Sequence, residues 1–144
     1  MSEAQGAPGG QAALPDGLMA DAEALLEPMI ELRRRIHSHP ELGLQLPKTQ
    51  ELVLDALDGL GLDVATGDAT TSVVAVLHGD GEGPTTLLRG DMDALPMPED
   101  TGLDFASRED GVMHACGHDA HVAMLVGAAR LLSRRRRELA GRVV

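Results

Sequence analysis

The chain has few of the residues that usually fill large cores or cross-link small ones. Its one aromatic residue is Phe105, and it has neither tryptophan nor tyrosine. A core must therefore be built from Leu, Val, Ala and Met, which bury less surface per residue than aromatic side chains. The only cysteine is Cys116, which excludes an intramolecular disulfide. Nothing therefore indicates an oxidising compartment, and we expect a cytoplasmic location.

Positive charge is also scarce: the chain has 12 Lys and Arg residues but 23 Asp and Glu residues, so its formal net charge is -11. Nucleic acids and anionic membranes select proteins with excess Lys and Arg, so neither is expected as a partner. The one basic run, residues 134–137, follows an apolar helical pattern and is better explained as a solvated helix end than as a phosphate site. No apolar run approaches the roughly 18 residues of a membrane span.

The length of 144 residues favours a single domain. Residues 1–15 are rich in Gly, Ala, Gln and Pro without periodicity and predict a flexible leader, which leaves 16–144 as the folded part. From Leu18 to Ile36 apolar residues recur at helical spacing, although Pro28 is expected to divide that helix. A second helix is expected from Pro47 until Gly59 and Gly61 end it.

The pattern then changes to strands. Residues 72–78 form a β-branched apolar run, residues 79–84 a turn cluster, and residues 85–88 a second strand, so the two strands could form a hairpin. A helix is expected after Asp119, and residues 141–144 begin another strand. A buried strand ending there would lack ladder partners, so we expect the chain to be incomplete. The element order predicts a layered α/β domain, in which ligands bind at the carboxyl ends of strands.

Two polar clusters on this apolar background predict a divalent-metal site. In the second cluster, Cys116 and His118 are two residues apart, with Gly117 allowing a bend between them, and thiolate plus imidazole suits zinc. An alternative places His114, His118 and His121 on one helical face and leaves Cys116 as packing, although Gly117 disfavours a helix there. Each residue could also be an ordinary buried Cys or His.

The first cluster contains Asp91 and Asp93, which follow the predicted strand over residues 85–88. Both carboxylates could face a site at the strand end, and one could bind or orient a ligand histidine. Turn chemistry alone explains Asp, Gly and Pro at these positions equally well. Cys116 paired with a histidine could also act as a nucleophile, which would define a different class of enzyme.

Three motifs resemble those of the metal-dependent amidohydrolases of the aminoacylase, hippurate hydrolase and auxin-conjugate hydrolase type. They are Arg-Ile-His-Ser-His-Pro-Glu-Leu-Gly at 35–43 with Thr49, Leu-Arg-Gly-Asp-Met-Asp-Ala-Leu-Pro at 88–96, and Gly-Val-Met-His-Ala-Cys-Gly-His-Asp-Ala-His at 111–121. Their order matches the family, and the resemblance covers nearly all of residues 30–144.

The resemblance implies the N-terminal part of a layered, zinc-exopeptidase-like catalytic domain, truncated before the lid and dimerisation domain. It implies two divalent metals in the complete site, Zn²⁺ first and Mn²⁺, Co²⁺ or Ni²⁺ as alternatives. Cys116 and His118 would be ligands, and Asp93 would be the acidic catalytic residue that orients the site. The substrate would be a small N-acyl amino acid or related conjugate, and full-length relatives would be homo-oligomers.

By the same resemblance, the general-base glutamate and the remaining ligands would follow the strand that begins near residue 142. We therefore expect this chain to be an inactive fragment of an amidohydrolase. Two other hypotheses remain open, namely a non-catalytic fragment that binds metal or a partner, and a thiol enzyme that uses Cys116. Neither the acyl and amino-acid specificity nor the identity of the metal can be read from these residues.

Overall fold

The structure is a computed structural model that describes residues 14–144. Within this range the chain order is α1 (Leu18–Glu23), α2 (Leu26–His37), α3 (Pro47–Leu57), β1 (Asp63–Thr66), β2 (Val73–His78), β3 (Gly81–Thr86), α4 (His118–Arg134), a 3-10 helix (Arg136–Glu138) and β4 (Ala140–Val143). The mixed α/β class expected from the sequence is confirmed. The leader predicted over residues 1–15 lies, apart from its last two residues, outside the described range.

The helical pattern that begins at Leu18 forms two helices rather than one. The break falls between Glu23 and Leu26, just before the proline that was expected to cause it. Pro28 is instead the third residue of α2, where a backbone N–H would have no partner within the helix. Leu32 and Ile36 are buried and lie one turn apart, so α2 presents one apolar face to the core.

The start of α3 at Pro47 agrees with the sequence prediction, but its cap comes from outside the helix. One oxygen of Glu41 accepts from the Lys48 N–H at 3.2 Å, and the other accepts from the N–H and the hydroxyl of Thr49, both at 2.9 Å. A carboxylate at a helix N-terminus satisfies free N–H groups and complements the helix dipole. After the helix, Gly59 adopts a φ of 72°, as a chain reversal requires.

The four strands form one sheet in the order β1-β2-β4-β3. β4 pairs antiparallel with β2 and parallel with β3. The predicted hairpin between β2 and β3 is therefore wrong, because β4 lies between them. The expectation that the last strand would lack ladder partners is also wrong, since β4 is paired on both sides. The sequence did not predict β1, because its four residues are all exposed and do not alternate between apolar and polar.

The core lies where α2, α3 and α4 meet. Its buried members are Leu32, Ile36, Val53, Ala56, Leu57, Val122 and Val126, with Met29 and Met92 packed against them. No aromatic side chain belongs to this cluster, in agreement with the composition. α3 and α4 also contact β2, whose Leu77 is buried. The helices therefore cover the sheet on the side of this cluster.

The basic run over residues 134–137 is only partly a solvated helix end. Arg135 donates to Asp21 at 2.8 Å and to the Asp16 carbonyl at 2.8 Å, which ties α1 to the end of α4. Arg136 donates to the carbonyl of Gly61 in the turn before β1. These two cations therefore join elements of the fold.

None of the helices over residues 14–144 is both long enough and apolar enough to cross a membrane.

The position of Ile36 in the core can be tested against an exposed leucine of the same helix. Ile36 is fully buried, whereas Leu26 is 55% exposed. Ile36→Ala should lower the free energy of unfolding by about 2–5 kcal/mol, because it leaves a cavity in the core. Leu26→Ala should change it by less than about 0.5 kcal/mol. Urea denaturation of both variants measures the difference, and equal losses would contradict this account of the core.

Candidate metal centre

The segment that carries Asp93 leaves the sheet after β3 and is held at two backbone positions. The Ala94 N–H donates to the carbonyl of Glu41 at 2.8 Å. The next residue, Leu95, forms a two-way bridge with Met113, with N···O distances of 2.9 and 3.0 Å. The first contact ties the segment to the residue that caps α3, and the second ties it to the motif that contains Cys116. All three sequence motifs therefore meet here.

The Cys-Gly-His sequence forms the turn into α4. Gly117 has a φ of 75° and is the N-cap, and its carbonyl accepts from the N–H groups of Ala120 and His121 at 3.0 and 3.1 Å. Cys116 is exposed and lies just outside the helix, and His118 is the first helical residue. The alternative with three histidines on one helical face is wrong, because His114 precedes the helix.

The ring of His118 is fixed by Asp93. Its Nδ1 lies 2.8 Å from the Asp93 carbonyl oxygen and 3.0 Å from the Asp93 Oδ1. A carbonyl oxygen can only accept, so Nδ1 must be the donor and carry a proton. In the neutral ring, Nε2 then has a free lone pair. A protein commonly prepares a histidine for a metal ion in this way, by bonding the ring nitrogen that does not bind the ion.

The donor set at this turn fits a divalent ion. It consists of one exposed thiol and one imidazole with a free Nε2, separated by a glycine in the left-handed region. Both donors suit zinc and similar ions. Between residues 14 and 144, no group of three or more Cys, His, Asp or Glu side chains could hold an ion. The described residues thus provide a pair of candidate ligands rather than a full coordination sphere.

Asp91, the other acidic residue of the first cluster, is engaged elsewhere. Its Oδ1 accepts from the Arg89 guanidinium at 2.7 and 3.0 Å. The hydrogen bond from Arg89 lowers the pKa of Asp91 below its usual value. Of the two carboxylates that the sequence placed at a strand end, Asp93 is thus the one that bonds His118. The His121 ring centroid lies 5.4 Å from that of His118, and His121 is exposed.

Behind the turn, a buried ionic network holds α4 against α2. Asp119 is fully buried, and its Oδ2 lies 2.8 Å from His37 Nδ1 and 2.9 Å from Arg33 Nε. His37 Nε2 lies 3.2 Å from Glu99 Oε1. Glu99 also accepts from the Thr101 hydroxyl and from the Ser107 N–H. The side chains of His37 and Glu99 are 5% and 3% exposed, so this network is nearly shielded from solvent.

Both carboxylates of this network stay charged despite their surroundings. Burial raises the pKa of Asp119, but hydrogen bonds from His37, Arg33 and the Ala120 N–H outweigh it and leave the pKa below its usual value. Burial likewise raises the pKa of Glu99, but hydrogen bonds from the Thr101 hydroxyl, the Ser107 N–H and His37 outweigh it and leave the pKa below its usual value. The network therefore holds two buried anions, Asp119 in the first turn of α4 and Glu99 at the other ring nitrogen of His37.

His114 is the buried exception to these paired groups. It is 3% exposed, and neither ring nitrogen has a hydrogen-bond partner among the described residues. Burial lowers the pKa of His114, an effect that the charge of Asp119 only partly offsets. Its ring centroid lies 6.2 Å from that of His37. His114 is therefore a neutral residue packed beside the network rather than a member of it.

Comparison with known proteins agrees with the motifs brought together here. The model of peptidase family M20/M25/M40 matches residues 87–144, the range that contains Asp93, Cys116 and His118. The chain is 44% identical over 131 residues to thermostable carboxypeptidase 1 of Saccharolobus solfataricus, covering 90% of this chain and 33% of that protein. Over residues 87–144 the chain thus resembles peptidase family M20/M25/M40.

Two further proteins are similar to the chain at comparable sequence identity. The N-acyl-L-amino acid amidohydrolase of Geobacillus stearothermophilus is 44% identical over 115 residues, which is 80% of this chain and 31% of that protein. The solved YXEP protein of Bacillus subtilis, described as a dinuclear metal binding peptidase, matches with a TM-score of 0.80 and 42% identity. That match covers 84% of this chain and 34% of the solved chain. The chain thus spans about a third of the length of these relatives.

Sequence reasoning missed the residues that support the site. Glu41 caps α3 and accepts from Ala94, and His37 and Glu99 form the buried network, yet none was assigned a role. Glu41 and His37 lie in the first motif, which served only for the resemblance to the metal-dependent amidohydrolases. A polar residue on the apolar face of α2 was the available signal for His37. Glu99 gave no such signal, because Pro, Glu, Asp and Thr around it suggest an exposed loop.

Replacement of Glu99 should change how stability depends on pH. Its carboxylate has a lowered pKa, so the stability it adds is complete above the unfolded value of about 4.3 and is lost as the pH falls through the folded value. Glu99→Gln should lower the free energy of unfolding at neutral pH by about 1–3 kcal/mol, because an anionic acceptor is removed from buried donors.

Urea titrations of parent and variant between pH 7 and about pH 3 measure both effects, since the loss of stability begins near the unfolded pKa of about 4.3. The difference in free energy of unfolding between the parent and Glu99→Gln should become smaller as the pH falls. Glu51→Gln, on the exposed face of α3, is the control and should follow the parent. A gap that stays constant over the whole range would contradict the assignment of a charged Glu99.

Proposed function

We propose that this chain is part of a metal-dependent amidohydrolase that cleaves the amide bond of N-acyl amino acids or related conjugates. The observation that carries the proposal is the hydrogen bond from His118 Nδ1 to the Asp93 carbonyl. This bond leaves the Nε2 lone pair of His118 available for an ion, and only Gly117 separates His118 from the exposed Cys116 in the sequence. The names of two relatives, a carboxypeptidase and an N-acyl-L-amino acid amidohydrolase, support amide hydrolysis.

In this proposal each residue has a defined task. Cys116 as thiolate and His118 through Nε2 bind a divalent ion, with Zn²⁺ the first choice and Mn²⁺, Co²⁺ or Ni²⁺ as alternatives. Asp93 keeps the His118 ring oriented and its Nδ1 protonated. A divalent ion, of which the complete site would hold two, activates water and polarises the amide carbonyl when bound.

The chain alone should not turn over substrate. Catalytic zinc usually has three protein ligands and an open position, and the described residues offer two. The solved Bacillus subtilis relative is described as dinuclear, and the chain covers 34% of it. We therefore propose that the remaining ligands and the general base belong to residues outside this chain, in a longer, homo-oligomeric protein. The single free cysteine suits a reducing compartment, so we propose that this protein is cytoplasmic.

The thiol-enzyme alternative has less support. A nucleophilic cysteine needs a base within hydrogen-bond reach, and no hydrogen bond joins Cys116 to a histidine between residues 14 and 144. A non-catalytic metal-binding fragment would use the same two ligands, Cys116 and His118, so the contacts of the site fit it equally well. The two functions differ in turnover, so they can be distinguished by assay.

The ligand assignment predicts a specific pattern of metal loss. Cys116→Ala and His118→Ala should each lower Zn²⁺ affinity by at least about tenfold, because each removes one of two ligands. His78→Ala is the control, because His78 is an exposed histidine of β2 that pairs with Asp63. Competition with a zinc indicator measures the affinities. Unchanged zinc affinity in the Cys116 variant would refute the assignment.

The proposed reaction is tested in a protein that contains this chain together with the residues that follow it in M20 relatives. Release of acetate from an N-acetyl amino acid should be abolished by a chelator and restored by Zn²⁺, Mn²⁺ or Co²⁺. Metal binding without turnover would support the non-catalytic alternative. Activity that resists the chelator but is lost on thiol alkylation would support the thiol enzyme.

A further inference from the structure

We infer that His37 is a positioning residue for the Cys116/His118 pair. It acts by clamping Asp119, the second residue of α4, from the neighbouring helix. The inference rests on the proposed metal site and assigns a role to a residue 82 positions away in sequence from the one it bonds. It concerns the placement of the ligands rather than the chemistry of the reaction.

His37 donates from both of its ring nitrogens. Nδ1 lies 2.8 Å from Asp119 Oδ2, and Nε2 lies 3.2 Å from Glu99 Oε1. Ionised carboxylate oxygens only accept hydrogen bonds, so each ring nitrogen must carry its own proton. The ring thereby fixes two buried anions relative to α2.

Asp119 transmits the constraint from His37 to the candidate ligands. Asp119 directly follows His118 and is fully buried, with Oδ2 shared by His37 and Arg33. Arg33 and His37 are four residues apart, so they lie on one face of α2 and both donate hydrogen bonds to the same carboxylate oxygen of Asp119. With the second residue of α4 fixed, the backbone of His118 and the Gly117 turn cannot rotate independently. The direction of the Cys116 thiol is set by that turn.

Stability alone explains the buried ionic network poorly. Burying ions costs desolvation free energy, and apolar side chains of similar volume often stabilise a fold equally well or better. The core between α2 and α4 already contains Ile36, Val122 and Val126. A buried ionic contact is directional where an apolar contact is not, and direction is what a pair of metal ligands requires.

The test measures Co²⁺ binding to the full chain through the thiolate-to-cobalt charge-transfer band. His37→Leu removes both donors and should weaken binding by about ten- to a hundredfold, as loss of groups behind metal ligands commonly does. His37→Gln keeps one donor and should lose less. Val53→Ala, a core change in α3, which contributes no residue to the network, should keep the parent affinity within about twofold even where it lowers the melting temperature.

The outcomes separate positioning from general destabilisation. Circular dichroism confirms that each variant is folded during the titration. Parent affinity in folded His37→Leu would overturn the inference, and so would an equal loss of affinity in Val53→Ala. If His37→Leu does not fold, His37→Gln decides, because it keeps one donor in the network. Folded His37→Gln should bind Co²⁺ more weakly than the parent, and parent affinity in it would overturn the inference.

A different result would show that the proposed function has failed. If the parent chain gives no charge-transfer band at any Co²⁺ concentration, Cys116 is not a ligand, and both the metal site and the role of His37 are overturned. If the parent shows the band and the His37 variants match it, the metal site stands and only the positioning role is lost.

Discussion

The hydrogen bonds from His118 Nδ1 to Asp93 are the contacts on which the candidate centre depends. They join residues 25 positions apart, one in an irregular segment after β3 and the other at the first position of α4. They also determine which ring nitrogen carries the proton, and hence which one is free to bind an ion. Without them, the exposed thiol of Cys116 would be a lone surface cysteine. The rest of the described fold holds these two residues at bonding distance.

Two supports originate in the first sequence motif. Glu41 caps α3 with its side chain and accepts from Ala94 with its carbonyl, which places the Asp93 segment. His37 bonds Asp119 and thereby fixes the start of α4. This motif contributes none of the candidate ligands, but it contacts both halves of the site. The core of Leu, Ile, Val and Ala lies behind it and needs no aromatic residue.

The sequence predicted those parts of the fold that have a local signal. Apolar spacing located α3 and α4, and β-branched residues located β2. Strand order could not be predicted, because the pairing of β4 between β2 and β3 depends on contacts about 60 residues apart. At the site, residue type identified Cys116, His118 and Asp93 as candidates. The partners of His37 and Glu99 could not be read, because those bonds exist only once α2, α4 and the irregular segment between β3 and α4 have packed.

The account is tested most directly by determining the protonation of the His118 ring. Histidine labelled with ¹⁵N in both ring nitrogens reports the tautomer of each residue by long-range proton–nitrogen correlation, at about pH 8, where an ordinary histidine is neutral. We expect His118 to carry its proton on Nδ1, and only the unprotonated Nε2 signal to change strongly when Zn²⁺ is added. A proton on Nε2 in the metal-free chain, or a zinc response at Nδ1, would contradict the account.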